Sequence, residues 1–142
     1  MSEYFIARKD AIRILPENLS LDVAALAEPL GVALHAINIA GDIKGKDVLI
    51  SGSGPIGLMV IAASKILGAK SITATDVLES ALKRAEEMGA TKVINVSNSK
   101  LSDNSYDVIF ECSAAAPAIS AAMIAVRRAG IIVQVGMMGA NA

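Results

Sequence analysis

Cysteine, histidine and aromatic side chains are almost missing from these 142 residues. The single cysteine, Cys112, excludes an internal disulfide and fits a reducing compartment, so a cytoplasmic location is expected. One histidine, His35, beside one cysteine cannot build a conventional zinc site within this chain. Tryptophan is absent and aromatics make up 3%, so the core must be aliphatic, which suits a parallel sheet covered on both faces. The net charge is −1, with no basic block and no aromatic-basic interleaving, which argues against a nucleic-acid partner. No apolar stretch reaches the roughly 18 residues needed to span a bilayer. The start, Met1-Ser2-Glu3-Tyr4, lacks the basic region and apolar core of a secretory signal. What is plentiful is apolar residue, 54% against 19% charged, enough for one ordered domain with a real core.

The chain is organised around Ser51-Gly52-Ser53-Gly54-Pro55-Ile56-Gly57. An apolar run, Asp47-Val48-Leu49-Ile50, precedes it, and an apolar helical stretch ending at Gly68 follows. The order is strand, glycine turn, helix, and the glycines have the G-x-G-x-x-G spacing. Gly52 permits the tight turn, Gly54 lets a phosphate approach the backbone, and Gly57 lets helix and strand pack closely. A pyrophosphate is expected over Gly54, Pro55 and Ile56, with the N–H groups of Ile56 and Gly57 as donors, because Pro55 has none. A glycine turn without ligand produces the same spacing, so the next acid matters. Asp76 stands 24 residues after Gly52, at the end of the run Ser71-Ile72-Thr73-Ala74-Thr75. There a dinucleotide fold places the carboxylate that binds the adenosine ribose. A 2′-phosphate beside it would set two anions in contact, so NAD is expected over NADP. Asp76 as a helix N-cap is the plainer alternative, and the two roles are compatible.

Along the chain, residues 3–8 and 11–15 read as short strands, the second stopped by Pro16. Ser20 caps a helix over 22–27, and a second helix entered at Pro29 runs to Ala40 with Leu30, Ala33, Leu34 and Ile37 on one face. From residue 47 strands and helices alternate. Strands are expected at about 47–51, 71–75, 92–96, 106–111 and 131–135, and helices at 55–68, 79–88 and 117–128. The polar stretch 97–106 leaves the third crossover short or without a helix. Right-handed crossovers then give an α/β, Rossmann-type doubly wound parallel sheet of order 3-2-1-4-5, with helices on both faces and the sixth strand missing. His35 reads as a packed or hydrogen-bonded helix residue, and Met59, Met88 and Met123 as core filler. The aliphatic run Ile131–Val135 would be an open edge able to recruit a second copy.

Ala27-Glu28-Pro29-Leu30, the stretch Gly45-Lys46-Asp47 through Gly57, Ala74-Thr75-Asp76, Glu87-Met88-Gly89-Ala90 and Phe110-Glu111-Cys112-Ser113 together resemble the zinc-dependent medium-chain dehydrogenases of the polyol, or sorbitol, branch. The resemblance covers nearly the whole chain. It implies an NAD-dependent hydride transfer from a secondary alcohol of a polyol or sugar acid, with zinc in the intact enzyme, and a homo-oligomer. It also implies that residues 1–45 are the end of a catalytic domain with its linking helices and that 46–142 form a truncated NAD-binding domain. Such a piece would bind cofactor without turnover. Cofactor contacts are implied at Asp76 and Val77, at Cys112 and Ser113 toward the nicotinamide half, and at Val135, Gly136 and Met137 toward its carboxamide. The family's usual glycine after Ser113 is Ala114, and its basic residue five positions beyond the ribose acid is Ala81. Glu28 is implied to face the zinc of the intact enzyme; compensation of a helix dipole is the metal-free alternative. Cys112 as a small buried apolar side chain is the alternative to cofactor contact. Two further readings stay open from the motif alone, a nucleotide-sensing module and a methyltransferase-like domain. The Pro55 entry and Gly57 favour the dinucleotide over the latter.

Overall fold

The computed structural model describes residues 4–137. Glu3 of the first expected strand and the terminal stretch 138–142 lie outside the described residues. The central feature is a parallel sheet of β1 (Asp47–Ser51), β2 (Ser71–Asp76), β3 (Lys92–Asn95), β4 (Tyr106–Glu111) and β5 (Val126–Gln134), in the order β3-β2-β1-β4-β5. This is the expected doubly wound order. Val48, Leu49 and Ile50 pair with Ile72, Thr73 and Ala74 on one side and with Val108, Ile109 and Phe110 on the other.

Alternate residues of each strand point to opposite faces and so feed two cores. Val48, Ile50, Ile72, Ala74, Val108 and Phe110 pack beneath α2 (Ala27–Ala40), α3 (Pro55–Ile66) and α4 (Glu79–Met88). Leu49 and Ile109 face α5 (Ala116–Ala125) together with Ala122 and Ala125. Truncating Phe110, which is fully buried, would cost about 3–5 kcal/mol by general experience with such cores. Gly54 and Pro55 start α3, and Gly68, at φ 80°, follows its end. Gly89, at φ 119°, closes α4 by donating to the carbonyls of Ala85 and Glu86. As the polar stretch foretold, no helix joins β3 to β4.

Several local expectations are corrected. Residues 4–15 form no strand; only a 3-10 turn at Lys9–Ala11 is present, because no neighbouring strand offers a ladder. Ser20 does cap a helix, accepting from the Val23 N–H at 3.3 Å, but α1 is one turn, Leu21–Ala24. The buried stripe of α2 is Ala33, Ala36, Ile37 and Ala40, while Leu30 and Leu34 face outward. Small side chains there let α2 lie close against α3. α5 stops at Ala125 rather than Arg128, and the last strand starts at once, because Val126 pairs with Tyr106 and Arg127 reaches two aspartates. Met59 and Met88 pack on the core, but Met123 is exposed, and so is His35. The helical run Leu21–Ala40 is, by length and composition, long and apolar enough to cross a membrane, contrary to the count made on the sequence. Its small-residue stripe is packed into the sheet's core.

Candidate functional site

The glycine turn sits where β1 leaves the sheet. Gly52 has φ 94°, a conformation that penalises any side chain, and its N–H donates to the Thr75 carbonyl at 2.9 Å. A Cβ on Gly57 would overlap the Gly52 carbonyl oxygen, so the close strand-helix approach requires glycine there. A Cβ on Gly54 would meet nothing within 4 Å. The space over Gly54 and the exposed Pro55 is open, as a bound phosphate requires. The first α3 residue to reach back is Leu58, to Gly54 at 2.9 Å. The Ile56 and Gly57 N–H groups therefore have no partner among the described residues, and the positive end of the helix adds to their field.

Asp76 is bound into this turn. Its Oδ2 accepts from the Ser53 N–H at 2.9 Å, and its Oδ1 accepts from the N–H groups of Val77 at 2.8 Å and Leu78 at 3.0 Å. Ser53 also donates its hydroxyl to the Thr75 carbonyl at 3.2 Å. Asp76 thus closes a turn ahead of α4 rather than capping it; the N-cap residue is Leu78, which makes no side-chain cap bond. Oδ2, with a single donor, keeps spare acceptor capacity.

The other strand ends close up through an acid for which the sequence alone predicts no role. Glu111 is fully buried. It accepts from the Ser113 N–H at 2.9 Å, the Ser113 hydroxyl, the Ala114 N–H at 3.0 Å and the Gln134 amide at 2.7 Å. A buried carboxylate is tolerated only when so satisfied. The signal was an acid ending the apolar run Val108-Ile109-Phe110, opposite Gln134 in the register. Ala114, at the position where the family usually has glycine, adopts φ 58° and keeps the left-handed loop at some strain. A Cβ on Gly136 would stand 2.7 Å from the Ala114 nitrogen, and one on Gly52 would stand 2.9 Å from the Ser113 Cβ. Backbone thus packs on backbone across β1, β4 and β5. Burial, and then the Glu111 carboxylate, push the Cys112 thiol up to about 12, so it stays protonated at neutral pH. Val135 packs on the core, whereas Val77 and Met137 are exposed.

Gly52, Asp76, Val77 and Ser113 line one cleft of about 890 Å³. Its far walls are α5 and the helix-free crossover, including Ser99, Lys100 and Leu101, none of which was singled out from sequence. With no crossover helix there, the loop itself forms that wall, and Thr75 of β2 lines the cleft while staying buried. Glu28 lies apart, exposed in the first turn of α2. Among the described residues no group of three or more His, Cys, Asp or Glu side chains is placed to hold a metal ion. The donor set here does not fit zinc.

Comparison with known proteins agrees with the fold. Residues 55–142 match the family model described as zinc-binding dehydrogenase. L-idonate 5-dehydrogenase (NAD(P)(+)) of Escherichia coli strain K12 is 41% identical over 132 residues, covering 89% of this chain and 38% of that protein. D-xylulose reductase of Saccharomyces cerevisiae is 34% identical over 149 residues, covering 96% of this chain and 42% of that protein. The crystal structure of the Escherichia coli L-idonate 5-dehydrogenase superposes with a TM-score of 0.85 at 40% identity, over 89% of this chain and 38% of that one. The chain therefore spans about two fifths of the length of the curated relatives it matches. With sheet order, glycine turn and family match in agreement, this chain belongs to the zinc-binding dehydrogenases.

Proposed function

We propose that the chain is the NAD-binding part of a zinc-dependent dehydrogenase, similar to L-idonate 5-dehydrogenase, that takes hydride from a secondary alcohol of a polyol or sugar acid. The stretches Ala27–Ala36, Ile50–Gly52 and Val133–Met137 carry the choice within the polyol branch. The observation that carries the cofactor is the single unit formed by the open turn at Gly54 and the ribose acid Asp76, tied together through the Ser53 N–H at 2.9 Å.

The backbone N–H groups of Ile56 and Gly57 hold the pyrophosphate, and Asp76, beside Val77, accepts from the adenosine ribose. Glu111 positions the loop of Cys112 and Ser113, and through the Gln134 amide it joins that loop to Gly136, whose carbonyl accepts from the same amide at 2.9 Å. Cys112, Ser113, Val135, Gly136 and Met137 orient the nicotinamide half. Bound there, NAD supplies the hydride acceptor. The described residues alone do not fit zinc. Glu28 facing that metal, residues 1–45 as the end of a catalytic domain and 46–142 as the cofactor domain belong to the reading of a longer protein. The single cysteine fits a cytoplasmic one.

Calorimetric titration tests the assignment. NAD is expected to bind more tightly than NADP, with no zinc-dependent turnover by these 142 residues alone. Tighter NADP binding overturns the ribose role of Asp76, and binding of S-adenosylmethionine without NAD overturns the dinucleotide reading. Homo-oligomer formation through the outer edge of β5 is part of the same reading, and a monomer by light scattering at high concentration would sink that part.

A further inference from the structure

We propose that Lys100 is a second determinant of cofactor choice, placed beside Asp76 to receive a phosphate on the ribose 2′ position, so that NADP is accepted as the weaker cofactor instead of being excluded. The proposal rests on the dinucleotide reading of the cleft and adds a charge that this reading lacks.

The placement follows from the helix-free crossover. The Val96 N–H donates to the Asp76 carbonyl at 3.1 Å, and the Asn95 amide donates to the Val77 carbonyl at 3.4 Å. The chain then folds back, with the Ser97 N–H on Asn95 Oδ1 at 3.0 Å and the Ser99 N–H on the Asn95 carbonyl at 3.1 Å. The loop that carries Lys100 is thus pinned to the backbone of the ribose acid, and both residues line the same cleft.

The charges point the same way. The charged residues lining the cleft are Asp76, Asp103 and Lys100, so Lys100 is the cation available to an incoming anion there. It is exposed and forms no ion pair with a described residue. The helix after the acid supplies no substitute. Ala81 is buried, and Lys83 and Arg84 do not line the cleft. Asp76 meanwhile has its carboxylate held in place by three backbone N–H groups. A lysine on a flexible four-carbon stem suits a phosphate as a point charge.

The test titrates NAD and NADP into the wild-type chain and into Lys100→Met and Lys100→Arg. The readout is the ratio of the two affinities, which a general loss of folding does not move. In Lys100→Met the NADP-to-NAD affinity ratio should fall about tenfold, whereas Lys100→Arg keeps it. The wild-type ratio should also fall with added salt. A wild-type chain with no measurable NADP binding, or a ratio unchanged in Lys100→Met, overturns the assignment of Lys100 while the NAD reading stands. Binding of neither cofactor by the wild type overturns that reading and this proposal with it.

Discussion

The two ends of the sheet are built on opposite plans. At the amino end, charge satisfies charge. Arg127 bonds Asp107 at 2.7 Å and Asp47 at 3.1 Å, Lys70 reaches Asp47 at 3.3 Å, and the Ser71 hydroxyl donates to Asp47 at 2.7 Å. The Asp47 N–H donates to Asp107 at 2.8 Å, so β1, β2, β4 and the start of β5 are tied in one network. At the carboxyl end the ties are glycine contacts and backbone N–H groups converging on Glu111 and Asp76, and donors over Gly54 stay free. An end that satisfies itself stabilises. An end that leaves donors unsatisfied stores binding capacity for a ligand.

The comparison breaks most severely at Gly57. Gly57→Ala forces a methyl group into the Gly52 carbonyl, and we expect a loss of about 3 kcal/mol in urea unfolding together with loss of NAD binding in calorimetry. An unchanged unfolding midpoint would show that strand and helix separate freely and that the close approach is incidental. Glu111→Gln comes next. An amide placed among four donors must turn its own N–H groups onto one of them, costing about 2 kcal/mol. The chemical shifts of Ser113 and Ala114 should move with it; their constancy would remove Glu111 as the positioning residue of that loop.

Arg127→Met tests the other end, with a smaller effect because the Arg127 side chain is 41% exposed. Its signature is pH dependence. The Ser71 hydroxyl first, then Lys70 and Arg127, hold the Asp47 carboxyl below its usual range; the Asp47 N–H first, then Arg127, do so for Asp107. A lowered folded pKa contributes stability that is present above the ordinary aspartate value near 4 and is lost as pH falls through the folded value. Stability of the wild type should therefore drop below about pH 4, and Arg127→Met should shrink that drop without altering NAD affinity at pH 7. Equal acid sensitivity of the two proteins in pH-dependent unfolding would contradict the network. The mildest change is Ala114→Gly, which relieves a left-handed alanine at φ 58° and should stabilise by about 0.5–1 kcal/mol after the entropy cost of glycine. A destabilised variant would place the strain elsewhere.

The contrast between the ends also marks what was legible in the residues. Gly52, Gly54, Gly57 and Asp76 were readable because their constraints are local: a turn, a close approach, an acid at a strand end. The amino-end network was not, since Arg127 and Asp47 lie 80 residues apart and meet only through the strand register. The strands expected before residue 16 failed for the same reason in reverse, because extended, apolar local sequence makes no strand without a neighbour.

By itself the sequence determined the alternation of strands and helices, the sheet order, the glycine turn with its acid, and a crossover from β3 to β4 with a short helix or none. These follow from periodicity, glycine spacing and crossover handedness, which act within one supersecondary unit. Only the tertiary structure decided that Asp76 is held by Ser53, that Glu111 gathers the ends of β4 and β5, and that Lys100 shares a cleft with the ribose acid. Each of these depends on segments brought together by the fold across 23 residues or more.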